Sequence, residues 1–282
     1  MNLQTLSKAS IEYISTDKAQ GFLWGISVAI KIFCKGLRLF IKNNVTINSY
    51  SFDRRSWLAS YRLNHFSGRP QMIIAHNPSV FFPAFRYAQK NKIVYGIDIE
   101  DYHPGETASK QEEQQLISIM NGALKDAAYL SYASPLIKAE VNKILKTKCK
   151  NEVVVNNFFP ANNFNFTESA ISSKLEFVWF SQHIDYGRGI ENIIQAFSEF
   201  SDSLDLVLFG ELNKRFYESV LKERSFVTIR PPLSLNELNH EVCKYDVGLA
   251  IEPGRNLNND IALSNKILTY FQAGLFIMAS RT

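Results

Sequence analysis

The residues best suited to chemistry lie in two short stretches in the second half of the chain. Ser264-Asn265-Lys266 opens a helical run that closes at Gly274. A hydroxyl, an amide, the free N–H groups of a helix start and one ammonium form a donor set that suits a pyrophosphate. Gly187-Arg188-Gly189 stands where an apolar strand-like run gives way to another helical run. Backbone N–H groups beside a guanidinium again favour a diphosphate. Neither stretch decides the matter alone. A capped surface helix, or a tight turn with a surface arginine, has the same residues.

For these stretches to act together, the chain must bring strand ends to one edge of a sheet. The hydrophobic pattern predicts this. Met72–His76, Ile93–Ile97, Tyr129–Ala133 and Val153–Asn156 read as strands, separated by helices over Ser79–Gln89, Glu112–Ala128 and Pro135–Leu145; Val45–Phe52 reads as a further strand. Asn156–Ser173, rich in Asn and Ser, reads as a linker. The rhythm then restarts with strands at Leu175–Phe180, Leu204–Gly210, Val227–Ile229, Val247–Ile251 and Phe276–Ala279. Helices fall at Gly189–Phe200, Asn213–Lys222, Leu235–Tyr245 and Ser264–Ala273, the third opened by a capping box, Ser234 with Glu237. Strand–helix alternation predicts an α/β protein of two doubly wound units, 1–160 and 174–282, with parallel sheets covered on both faces. Such sheets bind ligands at the carboxyl ends of their strands.

Composition narrows the classes. Of 282 residues, 46% are hydrophobic and 21% charged, enough for packed cores. A formal charge of +4 is compatible with an anionic ligand or an acidic membrane face but too small to argue for nucleic acid. Cys34, Cys149 and Cys243 are widely spaced and odd in number, which fits a reducing, cytoplasmic compartment. The start is polar, with no secretory signal, and is followed by a weak strand at Ile11–Ser15. Gly21–Lys42 reads as one helix with Phe22, Ile26, Ile30, Phe33, Leu37 and Phe40 at helical spacing. Lys31, Lys35, Arg38 and Lys42 share another face. That face reads either as the solvated side of a packed helix or as a basic surface for anionic lipid at the inner side of a membrane.

The order of motifs resembles the retaining GT-B glycosyltransferases of the large family 4 type. Arg188-Gly189 stands where that family has Lys-Gly, and Ser181-Gln182 where Gly-Arg is usual. Leu206-Val-Leu-Phe-Gly-Glu is similar to its strand ending in a Gly-rich turn, and the stretch from Ile229-Arg230 to its loop near the nucleotide base. Tyr245-Asp-Val-Gly-Leu, a polar loop, Ser264-Asn265-Lys266, a helix, Ala273-Gly274 and a hydrophobic strand repeat the family's order. In the first half, the stretch from Ile97 to Glu106 resembles the loop whose histidine often approaches the donor sugar, and Ala75-His76-Asn77-Pro78 resembles the family's strand end with a histidine before a helix. His103 is the best match and His76 the second. The resemblance spans roughly Met72 to Arg281.

The resemblance implies transfer of a sugar from a nucleotide-diphosphate sugar to a glycan or lipid-linked acceptor, with retention, in cell-surface glycan assembly. Arg188 and Lys266 would stabilise the leaving diphosphate and His103 would contact the sugar. Gln182, Gly187, Gly189, Arg230, Glu252, Ser264 and Asn265 would complete donor binding. No cofactor is implied, and with no Asp-x-Asp cluster in the sequence a metal is not expected. Three departures stand out. Gln182 brings no charge, and Ile261 and Thr269 occupy the positions where many members carry two Glu, one of them for the ribose. No Gly-rich loop follows a strand near the start, and the sequence stops just past a strand, so a chain short at both ends is expected. The rival reading is a degenerate relative that binds nucleotide sugar, or a partner, without turnover. An epimerase of the same architecture fits the Ser264–Gly274 pattern less well.

Overall fold

The structure is a computed structural model that describes residues 12–14, 16–18, 21–164 and 173–281. The ends of the strand expected at Ile11–Ser15 and most of the second half of the expected linker lie outside these. The chain divides into two compact units, Met1–Asn156 with Asn256–Ala262, and Asn157–Arg255 with Leu263–Thr282.

In the first unit, β1 (Met72–Ala75), β2 (Val94–Ile99), β3 (Tyr129–Tyr132) and β4 (Glu152–Val154) form a parallel sheet whose strand order follows the chain. Right-handed crossovers between strands taken in that order all land on one face. Burial agrees. Ala75, Ile97, Ile99, Leu130 and Tyr132 pack with Phe81, Phe85, Met120, Ile137 and Val141 from the helices. On the other face Met72, Ile74, Val94 and Val153 remain 45%, 45%, 46% and 48% exposed, so cover there is partial. The helices are α1 (Gly21–Arg38), α2 (Val45–Phe52), α3 (Arg54–Asn64), α4 (Pro78–Asn91), α5 (Lys110–Ala123) and α6 (Pro135–Ile144).

Val45–Phe52 is therefore a helix and not the strand its β-branched and aromatic residues predict. Asn44 caps it by accepting the Ile47 N–H at 3.0 Å. Its buried side is polar: Asn48, Ser49 and Ser51 face inward. Gln115 of α5 donates to the Asn48 carbonyl at 2.7 Å and to Ser51 Oγ at 2.8 Å, while Asn48 donates to Ser118 Oγ at 2.8 Å. A helix that buries hydrogen-bonded polar groups leaves no apolar stripe for periodicity to detect.

Helix α1 ends at Arg38, four residues before the expected end. It buries Ser27 and Cys34 and leaves much of its apolar side in solvent, with Phe22 at 80% and Phe33 at 66% exposure.

In the second unit, β5 (Leu175–Ile184), β6 (Leu204–Leu212), β7 (Val227–Arg230), β8 (Val247–Ala250) and β9 (Phe276–Ala279) are all parallel in the order β7-β6-β5-β8-β9. The order reverses on either side of β5, so helices cover both faces. Trp179, Leu206, Leu208 and Leu249 pack with Ile190 and Ile194 on one side. Val178 and Phe209 pack with Val242 and Tyr270 on the other. The covering helices include α7 (Ile190–Phe197), α8 (Lys214–Phe216, continued by a π-helical turn over Tyr217–Leu221) and α9 (Leu235–Val242). α10 (Leu257–Ile261) is grouped with the first unit, and α11 (Asn265–Gln272) returns to the second. The Ser234–Glu237 capping box forms at the start of α9.

Two glycines set close approaches. A Cβ at Gly248 of β8 would lie 2.2 Å from the Tyr270 ring, so this glycine lets α11 sit against the strand. Gly210 has φ 156°, and a Cβ there would meet the Ser181 carbonyl at 2.5 Å. β6 continues through it to Leu212, where a turn is expected, because β5 carries an irregularity between Phe180 and His183 that keeps the two strands paired.

Candidate functional site

The reversal of strand order in the second unit lies between β5 and β8, and open α/β sheets bind ligands at the carboxyl end of such a point. The loops leaving these two strands touch. Gly187 and Gly189 have φ of 69° and 80°, a conformation that costs glycine least. A Cβ at Gly187 would lie 2.0 Å from Arg255 Nη2, and one at Gly189 would lie 2.8 Å from Ile251 Cγ2. The loop after β8 is thus laid directly on the loop after β5, and it brings Arg255 to the glycine turn. Sequence reasoning missed Arg255, whose only local signal is an arginine in a Pro-Gly-containing loop.

The start of α11 joins the same edge. Ser264 caps the helix, accepting the Lys266 N–H at 3.3 Å. Lys266 Nζ donates to Glu252 Oε1 at 2.6 Å, and Ser264 Oγ donates to the same oxygen at 3.0 Å. The pair is largely sheltered, with side-chain exposures of 15% for Lys266 and 28% for Glu252. Ser280, just past β9, fixes the Glu252 backbone by accepting its N–H and donating to its carbonyl, both at 2.9 Å. Lys266 Nζ also stands 6.0 Å from the centroid of the buried Trp179 ring. Asn265 is exposed and accepts from Asn157 Nδ2 at 3.2 Å.

A second carboxylate plays a matching part. Glu191, in the first turn of α7, accepts the Gly187 N–H. At both helix starts a glutamate carboxylate therefore occupies donors of the kind a phosphate oxygen would take. Arg188 is exposed beside Asp185. Hydrogen bonds from Asn213 and the Tyr186 N–H, with Arg188 nearby, hold the Asp185 carboxyl below its ordinary range.

Gly187, Arg188, Gly189, Glu252, Ser264, Asn265 and Lys266 thus share one edge. Two expected members stand elsewhere in the unit. Gln182 lies in the irregular stretch of β5 and is exposed. Arg230 ends β7, three strands from β8 in the sheet order, roughly 14 Å at the usual strand spacing. Thr269 is buried within α11 at 1% exposure, so its side chain belongs to the core and is not at the ligand edge.

His103 belongs to the first unit, in a single 3-10 turn over His103–Glu106. Its Nδ1 lies 2.8 Å from Glu106 Oε2. Asn258 of α10 braces this turn, accepting the Tyr102 N–H at 2.6 Å and donating to Asp101 Oδ1 at 2.9 Å and Glu106 Oε1 at 3.1 Å. The sequence offered no sign of Asn258, which reads as one polar residue in a polar loop.

Two units, each with a parallel α/β sheet, are the architecture of GT-B glycosyltransferases, and solved structures of that class match the chain. Anabaena HepE in complex with UDP matches at 12% identity and a TM-score of 0.58, over 79% of this chain and 62% of that one. An S. aureus TarM variant in a complex that includes UDP matches at 11% and 0.58, over 79% and 44%. The catalytic domain of Arabidopsis thaliana starch synthase IV, bound to ADP and acarbose, matches at 16% and 0.54, over 82% and 61%. The chain spans less than two thirds of each neighbour, and at these identities the likeness establishes the fold. No protein-family profile and no curated protein matches the sequence.

Proposed function

We propose that the second unit binds a nucleotide-diphosphate sugar at its switch point and that the protein transfers the sugar, with retention, to a glycan or lipid-linked acceptor in cell-surface glycan assembly. The observation that carries this reading is the convergence of Lys266, the capped start of α11 and the glycine turn with Arg188 and Arg255 on one sheet edge. Negative charge on a departing diphosphate is stabilised by donors already in place, without a metal in this step. Arg255 supplies the cation that Gln182 does not. Glu252 and Glu191 hold the donors until a diphosphate displaces them.

Thr269 and Ile261 favour a second reading, binding without turnover. Thermal-shift screening with UDP-, GDP- and ADP-sugars, followed by an assay of donor hydrolysis, separates the two. Stabilisation with hydrolysis supports transfer, stabilisation alone supports the degenerate relative, and no stabilisation rejects both.

The exposed side of α1, with the residues just after it, supports peripheral attachment to the inner face of a membrane. Phe22, Ile32, Phe33, Leu39 and Phe40 are 80%, 65%, 66%, 74% and 86% exposed, with exposed Lys35 and Lys42 among them. Apolar side chains between lysines suit the boundary of an anionic bilayer. No helix among the described residues is long and apolar enough to cross a membrane.

A further inference from the structure

The first unit holds a cluster that the donor site does not use. In the β1–β2 register Ala75 stands opposite Ile97, which places the next residue, His76, opposite Asp98. In the β2–β3 register Asp98 stands opposite Ser131. Side chains alternate along a strand, so Asp98 and Glu100 share the face that Ile97 and Ile99 turn away from. The register thus gathers His76, Asp98 and Glu100 at the carboxyl end of the sheet, with their ligand atoms all within 4.8 Å of one another. His76 Nδ1 lies 2.9 Å from Asp98 Oδ2 and 4.0 Å from Glu100 Oε1. Ser131 Oγ donates to the other Asp98 oxygen at 2.7 Å, which fixes the carboxylate and leaves Oδ2 facing the cluster. Among the described residues no lysine or arginine pairs with Asp98 or Glu100, so their charge is met only by His76, and then only when it is protonated.

We propose that His76, Asp98 and Glu100 bind one divalent transition-metal ion of the zinc class. One imidazole and two carboxylates suit such an ion better than magnesium or calcium, which prefer all-oxygen sites. Zinc bonds of about 2.0–2.2 Å put neighbouring donors roughly 3.3–3.5 Å apart in a tetrahedron. The observed spacings bracket that value, so small side-chain rotations close the site. Ser131 is the outer residue that orients a ligand carboxylate, the role such hydroxyls fill around bound metals. Three protein ligands leave a fourth position. His76 and Glu100 are 57% and 59% exposed, so that position opens to solvent and accepts an oxygen ligand.

The test is calorimetric titration of the reduced full chain with Zn2+ alone. The expected result is saturable binding of one ion per chain, abolished by His76→Ala and by Asp98→Asn and weakened about 10-fold or more by Ser131→Ala. Glu100→Gln, at an exposed position, gives the same loss if either other variant fails to fold, as judged by circular dichroism. Absence of one-site binding overturns the proposal. So does binding that all folded ligand variants retain, which would assign the ion to another pair such as His103–Glu106 or His183–Glu211.

Discussion

Lys266 is bound to Glu252: its Nζ lies 2.6 Å from an Oε1 that also accepts the Ser264 hydroxyl. The ammonium most suited to a diphosphate is thus already satisfied within the second unit, and a ligand must compete with the carboxylate for it. Glu252→Gln keeps the shape and removes the competing charge. It is expected to raise affinity for UDP about 10-fold, roughly 1.4 kcal/mol, by isothermal titration. Lys266→Ala is expected to abolish the nucleotide-induced thermal shift. If Glu252→Gln weakens binding instead, Glu252 contacts the ligand and does not compete with it.

Arg188 and Arg255 are expected to share the phosphate load. Either alanine variant should lower UDP affinity by about 1.5–3 kcal/mol, the usual worth of a hydrogen bond to a charged group. Titrations at rising salt should show a shallower dependence in the double variant than in the parent. A double variant with parental affinity would remove both side chains from the site.

Gly248→Ala tests the packing of α11 on β8. The new methyl group would meet the Tyr270 ring, and overpacking of this kind costs about 1–3 kcal/mol. Denaturant melts should show the loss. Tyr270→Phe removes hydroxyl contacts, among them those to the Val178 and Leu249 carbonyls at 3.3 and 3.5 Å, with no new bulk, and should cost less.

The exposed side of α1 and the segment just after it give a membrane prediction. Phe33→Glu with Phe40→Glu should abolish co-sedimentation with anionic vesicles while leaving the melting temperature unchanged, because both rings are in solvent. Unaltered sedimentation would exclude this helix and the segment after it as the contact.

Asp53 predicts an acid-sensitive contact. It caps α3 by accepting the Arg55 N–H at 2.9 Å, and its carboxylate also takes the Arg55 Nε–H at 2.6 Å and the Ser79 hydroxyl at 2.9 Å. Burial opposes ionisation, but the Arg55 and Ser79 bonds outweigh it and hold the carboxyl below its ordinary 3.8. The stabilisation is present above that value and is lost as pH falls through the lower folded value. Asp53→Ala should cost about 1 kcal/mol at neutral pH, and the difference from the parent should shrink in acid melts.

The second unit was legible because its features are local in sequence. The Ser234–Glu237 box, the Gly187–Gly189 turn and the Ser264 cap each lie within a few residues. Long-range partners were not legible. Nothing near Lys266 announces that Glu252 neutralises it, and Arg255 reaches Gly187 only because β5 and β8 are neighbours. His76 meets Asp98 and Glu100 through strand register, which a search for an Asp-x-Asp motif along one segment cannot detect. Val45–Phe52 misled for a different reason: its residues favour strands, but Asn44 and a buried polar network hold it as a helix.

The two strand orders also carry a consequence for how the chain acquires its structure. In the first unit each new strand pairs with the one just made, across separations such as the 22 residues between His76 and Asp98 and the 33 between Asp98 and Ser131. In the second, β8 must find β5 after β6 and β7 have formed, closing the 70 residues between Glu176 and Asp246. Longer closures slow folding. The first unit should therefore acquire protection from amide exchange early in refolding, while β5 waits half-paired for β8. The donor edge, built where those two strands meet, then waits for that long-range pairing, and β9 can add to β8 only afterwards.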